Sequence, residues 1–166
     1  MAAQTVPARV SIQQQDFDLS TEVAALCAGD SGVGAVASFI GTVRERGSDH
    51  GDGDRDRVSA MELEHYPGMT EQALEEIDAQ ARQRWPLDAS LIVHRYGKVQ
   101  PGDDIVLVIT ASAHREAAFE ACHFLIDWLK TKAPFWKLEE NSEGADWVAA
   151  KDSDDASAAR WEKPPQ

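Results

Sequence analysis

The segment Leu129 to Lys137, LKTKAPFWK, sets three lysines, Lys130, Lys132 and Lys137, around a proline, with Phe135 and Trp136 between the last two. A lysine walled by aromatic rings is partly stripped of water, which penalises the ammonium and makes the nitrogen usable as a proton donor or nucleophile. The same pattern also fits lysines that lay their stems over an aromatic core and keep their charge in water. Upstream, His114 and Arg115 follow a strand-like run and open a helical one, where unpaired backbone N–H groups favour an anion. Cations are disfavoured at that end of a helix, so their presence asks for a ligand, and Arg115 offers a planar fork suited to phosphate or carboxylate. A solvated first turn is the plainer alternative. Arg44, after Gly41-Thr42-Val43, is by itself an ordinary surface arginine.

Charge supports an anion site. Between Ile92 and Leu138 six basic residues stand against five acidic ones, a balance of +1 inside a chain of −13. Local potential, more than total charge, sets where an anion binds, although lysines at a helix C-terminus are also favoured by the macrodipole alone. With 16 Lys and Arg against 29 Asp and Glu, nonspecific nucleic-acid binding is excluded as the main activity, because phosphate neutralisation needs a basic surface. His65 and His94 alternate within strands and read as core or edge histidines, and His50 and His123 carry no hypothesis. Cys27 and Cys122 are far apart, in apolar helical patterns, and read as buried reduced thiols. No metal-ligand set, G-x-S-x-G, P-loop, dinucleotide fingerprint or H-E-x-x-H occurs. Asp52, Asp54 and Asp56 suggest a calcium loop only faintly, since Arg57 replaces the needed Gly and Leu63 the bidentate Glu.

The elements that must position these residues follow from periodicity. Strands are expected at Arg9 to Gln14, Gly34 to Val43, Ser59 to His65, Ala89 to Tyr96 and Asp104 to Ser112, the last two paired as a hairpin through KVQPGD. A first helix is capped by Ser20 or Thr21 and stops near Gly29; a second is capped by Thr70 and runs through Leu74, Ile77, Ala81 and Trp85 to Pro86; a third, capped by Ser112, runs from His114 to Thr131. Phe135 to Glu139 and Asp146 to Ala149 read as short strands around a turn at Asn141 to Gly144. Residues 45–57, ERGSDHGDGDRDR, are expected to be a mobile loop. The acidic piece 151–166 reads as a weak helix and a frayed tail.

A length of 166 residues matches one domain, residues 1–150, with one sizeable core. Strands mixed with helices out of strict alternation indicate an α+β sandwich. No run is long enough to span a bilayer and the opening residues lack the apolar core of a secretory signal, so a cytoplasmic location is expected.

Taken together, SFIGTVR, LEHYPGM, RWPL, HRYGKVQPGD, ITASAHREAAFEA and LKTKAPFWK, in this order and spacing, resemble the catalytic large subunit of molybdopterin synthase, the MoaE family. The resemblance covers about Gly34 to Lys151. It implies an α/β-hammerhead fold with an additional small antiparallel sheet, and a homodimer that binds two small ubiquitin-like sulfur-carrier subunits to give a heterotetramer. The implied reaction converts cyclic pyranopterin monophosphate to molybdopterin by two sulfur transfers from the carrier's C-terminal Gly-Gly thiocarboxylate. The cofactor is made by such an enzyme, so no resident cofactor or metal is expected. By the same resemblance Lys130 and Lys137 are catalytic, Arg44, His114 and Arg115 bind the substrate anion, and Phe39, Phe135 and Trp136 wall the pocket. His114 and Arg115 of one copy are open to completing the pocket of the other. Two departures stand out: the charged loop beside Arg44 is longer than the family pattern, and Asp146 precedes Trp147 where some relatives carry a basic residue. A noncatalytic module that binds the tail of a ubiquitin-like protein is the alternative reading, and it predicts carrier binding without product.

Overall fold

A computed structural model describes residues 9–45, 57–148 and 152–162. Most of the charged loop, residues 46–56, lies outside the described residues, so its expected mobility is not addressed; its ends meet where the Val58 N–H donates to the Glu45 carbonyl at 2.8 Å.

The chain runs β1 (Arg9–Gln13), α1 (Leu19–Leu26), β2 (Ala35–Thr42), β3 (Ala60–His65), α2 (Met69–Arg84), β4 (Ala89–Arg95), β5 (Gly97–Val99), β6 (Asp104–Ser112), α3 (Arg115–Lys132), β7 (Phe135–Asn141), β8 (Gly144–Trp147) and α4 (Asp152–Ala159). Two four-stranded sheets result, ordered β1-β4-β6-β2 and β5-β3-β7-β8. In the first, β1 runs parallel to β4 and the other pairs are antiparallel; the second is antiparallel throughout. The α+β class with an additional antiparallel sheet is therefore present.

Period-two alternation sorts the first sheet's apolar residues onto two faces. Ile92 and Val108 pack with Leu74, Ile77, Ala81, Phe124 and Leu125 of α2 and α3. Leu91, Val93, Leu107 and Ile109 pack with Leu26, Val23 and Phe17 around α1. Because both faces are covered, the middles of β4 and β6, Leu91 to Val93 and Ile105 to Ile109, are unbroken apolar runs. The second sheet closes over Val43, Met61, Leu63, Val99 and Ile105.

Three expected helix caps are displaced. Asp18, not Ser20 or Thr21, caps α1: its Oδ1 accepts from the Thr21 N–H at 2.8 Å and hydroxyl at 2.7 Å, and these bonds hold its carboxyl below the ordinary range. Gly68 starts α2 at φ 85°, and the Glu71 carboxylate reaches back to its N–H at 2.6 Å. Thr70 is instead buried and ties two elements, its hydroxyl accepting from Tyr66 N–H at 3.1 Å and donating to the Pro134 carbonyl at 3.4 Å. Ser112 donates to the Pro86 carbonyl at 2.8 Å and takes only a long 3.4 Å bond from the N–H of His114, which is the α3 cap residue.

The β4–β6 hairpin forms as expected, but its connection is more than a turn. At Gly97, φ 88°, the chain leaves the first sheet, adds β5 to the edge of the second against β3, and returns. The segment after residue 151 carries α4, docked on α3 through buried Ala158. Of the two free thiols, Cys122 is buried and pushed up to about 11 by desolvation, whereas Cys27 is only half-buried.

Candidate active site

The sheet fixes which candidate residues share a neighbourhood. β6 runs from Asp104 to Ser112 and α3 returns antiparallel over the same face, so the C-terminal end of α3 lies over the start of β6. β2 pairs antiparallel with β6, Ala35 opposite Ser112 and Thr42 opposite Asp104, which puts Arg44 at that same end. β4 also finishes there, with His94 opposite Val106. One end of the first sheet thus gathers Arg44, Lys130 and, through β7, Lys137.

At this end Pro134 stops α3 after the Ala133 C-cap and the chain turns directly into β7. Strand alternation then sends Phe135 and Lys137 to one face and Trp136 to the other. Phe135 stacks on His94 of the first sheet, ring centroids 3.7 Å apart at 15°, while Trp136 meets Tyr66 edge-on at 4.9 Å. Of the three expected wall residues, Phe135 and Trp136 therefore face different directions. His94 Nδ1 donates to the Arg95 carbonyl at 2.8 Å. Burial pushes its pKa down to about 4, the charge of Lys137 acting in the same direction, so the imidazole stays neutral near pH 7. His94 is a core histidine, as its alternation indicated, and His65 is half-buried against Tyr96, 4.6 Å between centroids.

Lys130 leaves α3 in its last turn, where the helix dipole favours a cation. Its side chain is 54% exposed and its Nζ lies 3.9 Å from Asp154 Oδ1 of α4, so an acidic partner, not aromatic burial, shapes its surroundings. Arg44 is exposed and makes no ion pair among the described residues. It follows a register shift at Gly41/Thr42, where a Cβ on Gly41 would lie 2.6 Å from Val106 Cγ1. Phe39 sits mid-strand on β2, opposite Val108 and 37% exposed, on the outermost strand of its sheet.

His114 and Arg115 occupy the opposite end of the sheet. Arg115 and Lys130 are fifteen residues apart on one helix, about 22 Å at the usual rise per residue. Both His114 and Arg115 are exposed, and with Gly34, Ala113 and Glu116 they line an open cleft of about 510 Å³. No side chain caps the helix there. A Cβ on Gly34 would collide with the Ala113 carbonyl oxygen, so glycine is what lets the two backbones close beside the cleft. Within one chain, then, the five candidate cationic residues form two groups. Sequence reasoning missed Asp154 because nothing local in an acidic tail marks which carboxylate meets a distant lysine. Among the described residues no group of three His, Cys, Asp or Glu side chains is placed to hold a metal, and no helix is long and apolar enough to cross a membrane.

Comparison with known proteins shows the family of the chain. The family model described as "MoaE protein" matches residues 12–132. The molybdopterin synthase catalytic subunit of Mesorhizobium japonicum is 51% identical over 154 residues, covering 92% of this chain and 92% of its own. That of Pseudomonas aeruginosa is 53% identical, covering 93% and 99%. The solved molybdopterin biosynthesis MoaE protein from Burkholderia ambifaria superposes with a TM-score of 0.77 at 52% identity, covering 94% of this chain and 99% of that one. Two sheets bridged by a stacked His–Phe pair, with lysines flanking the proline after α3, are thus features of a chain that belongs to the MoaE protein family.

Proposed function

We propose that the chain is the catalytic, sulfur-transferring subunit of a molybdopterin synthase in molybdenum cofactor biosynthesis, taking sulfur from the C-terminal thiocarboxylate of a small ubiquitin-like carrier and delivering it to cyclic pyranopterin monophosphate. The curated relatives carry the name of a catalytic subunit, which itself speaks for an enzyme of more than one kind of chain. The observation that carries the reading is the gathering of Arg44, Lys130 and Lys137 at one end of the first sheet in a chain of net charge −13. Both reactants are anions, and bringing them into contact costs repulsion unless fixed cations lie between them.

In this mechanism Lys130 stabilises charge or moves a proton as the sulfur attacks, Lys137 holds the carrier tail and substrate, and Arg44 binds the substrate anion. Phe39, Phe135 and Trp136 contribute apolar surface to the pocket and the partner contact. His114 and Arg115 serve a second copy. The outer edge of β2 has no strand partner among the described residues and exposes Val36 and Phe39. A two-fold axis beside that edge, pairing two β2 strands antiparallel, would set the Ala35 end of one copy against the Thr42 end of the other. That arrangement places the His114 and Arg115 of one chain near the Arg44 and Lys130 of its mate, giving a homodimer inside a heterotetramer with two carriers. The reaction so written needs no resident metal or cofactor and suits the cytoplasm.

The test is reconstitution with thiocarboxylated carrier and the cyclic substrate. Lys130→Ala should abolish sulfuration while leaving the circular dichroism spectrum intact; turnover retained by that variant would remove Lys130 from the chemistry.

A further inference from the structure

The sulfur-transfer scheme uses neither the buried carboxylate of Asp127 nor the helix docked over it. Asp127, 6% exposed, lies on α3 one turn before Lys130. Its Oδ2 accepts from Trp161 Nε1 at 2.7 Å and from Arg160 Nη2 at 2.8 Å. The Trp161 ring sits edge-on between Trp85 and Phe124, both at 5.6 Å. These contacts and the buried Ala158 hold the C-terminal part of α4 on α3 without help from Asp154. Asp154, one turn earlier on α4, is thereby delivered to Lys130, 3.9 Å away. Its proximity is imposed by the anchor.

The pair itself is breakable. Its side chains are 54% and 27% exposed, in a setting where water and salt compete with the attraction. A carboxylate is also a close chemical likeness of a carrier's terminal anion. Asp154 and its anchors Ala158, Arg160 and Trp161 lie beyond the stretch matched by the family model, which ends at residue 132, whereas Lys130 lies within it.

We propose that Asp154 is a positioning residue acting through Lys130: an intramolecular carboxylate that occupies the ammonium in the unliganded chain and yields it to the carrier's C-terminal anion. The inference rests on the reading of Lys130 given above. Stray anions then meet a lysine already partnered, whereas a carrier brings docking energy from the rest of its surface and displaces Asp154.

The test is calorimetric binding of the full chain to the small carrier subunit bearing an unmodified Gly-Gly carboxylate. Asp154→Asn should tighten binding at low ionic strength by about two- to fivefold, the range open to a surface ion pair, and Asp154→Glu should bind as the unsubstituted chain does. The gain should vanish near 1 M salt, where the Debye length is about 3 Å, and in a Lys130→Gln background. Unchanged or weaker binding by Asp154→Asn, or an equal gain without Lys130, overturns the proposal. Carrier affinity and turnover both undisturbed by Lys130→Gln would instead overturn the functional reading on which it depends.

Discussion

The two ends of α3 carry cations in opposite electrostatic settings. At the C-terminal end Lys130 and Lys132 sit where the helix dipole welcomes positive charge; Lys130 pairs with Asp154 and Lys132 lies over the Trp128 ring at 5.3 Å. At the N-terminal end His114 and Arg115 stand against the dipole, exposed, with no side-chain cap and no ion pair among the described residues. For Arg115, opposing the dipole costs about 0.3–1 kcal/mol, which Glu116 in the same turn partly offsets. Lysines at a C-terminus need no ligand to explain them. An arginine at an N-terminus stands where an anion is favoured, so this is the end at which a ligand or a second copy would change the balance.

The sharpest way to break this comparison is to ask whether the two ends meet between copies. Chains carrying Lys130→Ala and chains carrying His114→Ala with Arg115→Ala should each be inactive. Unfolded, mixed and refolded together, they should recover about a quarter of normal sulfuration, since half of randomly paired two-fold dimers hold one intact site. No recovery would mean that each pocket is built from a single chain.

The next effect separates the structural anchors of the two ends. Folding lowers the pKa of His94 from 6.5 to about 4, so the unfolded chain binds more protons between those values. The stability gained from a neutral imidazole is complete above pH 6.5 and is lost as the pH falls toward 4. The full span is about 3 kcal/mol. His94→Phe keeps the stack on Phe135 and takes up no proton, so its urea midpoint should fall less steeply between pH 7 and 5; parallel slopes would acquit His94.

Gly34→Ala should then cost about 1–3 kcal/mol, the usual range for overpacking, because its Cβ meets the rigid Ala113 carbonyl. Gly41→Ala meets side chains and no backbone, Val106 Cγ1 at 2.6 Å and the Phe39 ring at 3.4 Å, and should cost less because side chains can shift. Thermal melts of the two variants compare the ends directly, and equal losses would deny the distinction. Smallest of all, Trp161→Phe removes one of two close donors to buried Asp127 and should cost about 1 kcal/mol, read as a drop in the denaturant midpoint; no drop would mean that Arg160 alone satisfies the carboxylate.

Element types were legible from the sequence because burial imposes period: Leu74, Ile77 and Ala81 recur on one helix face, and β4 carries the unbroken apolar run Leu91-Ile92-Val93 because both its faces are covered. Caps were less legible, since Asp18, Ser20 and Thr21 are all competent and the choice falls to geometry. β5 was hidden because three residues beside a glycine look like a turn until another sheet edge comes alongside. Among the site residues, the sequence pattern identified the cationic segments and, through the helix expected from His114 to Thr131, set Arg115 and Lys130 at its opposite ends; what it did not show was that Phe135 and Trp136 would face opposite sides of β7. The ion pair of Lys130 was illegible for a related reason: it depends on where Trp161 docks.

The excursion at Gly97 has one more effect. Between two adjoining strands of one sheet the chain crosses to the other, and β7 pairs with β3, with Leu63 opposite Lys137, across more than seventy residues of chain. Neither sheet can therefore be completed as a separate unit, and such non-local pairing slows folding. The strand bearing Lys137 can find its register only after α3 has turned the corner at Pro134, so a nascent chain places Lys137 late, after most of the structure that must support it has been synthesised.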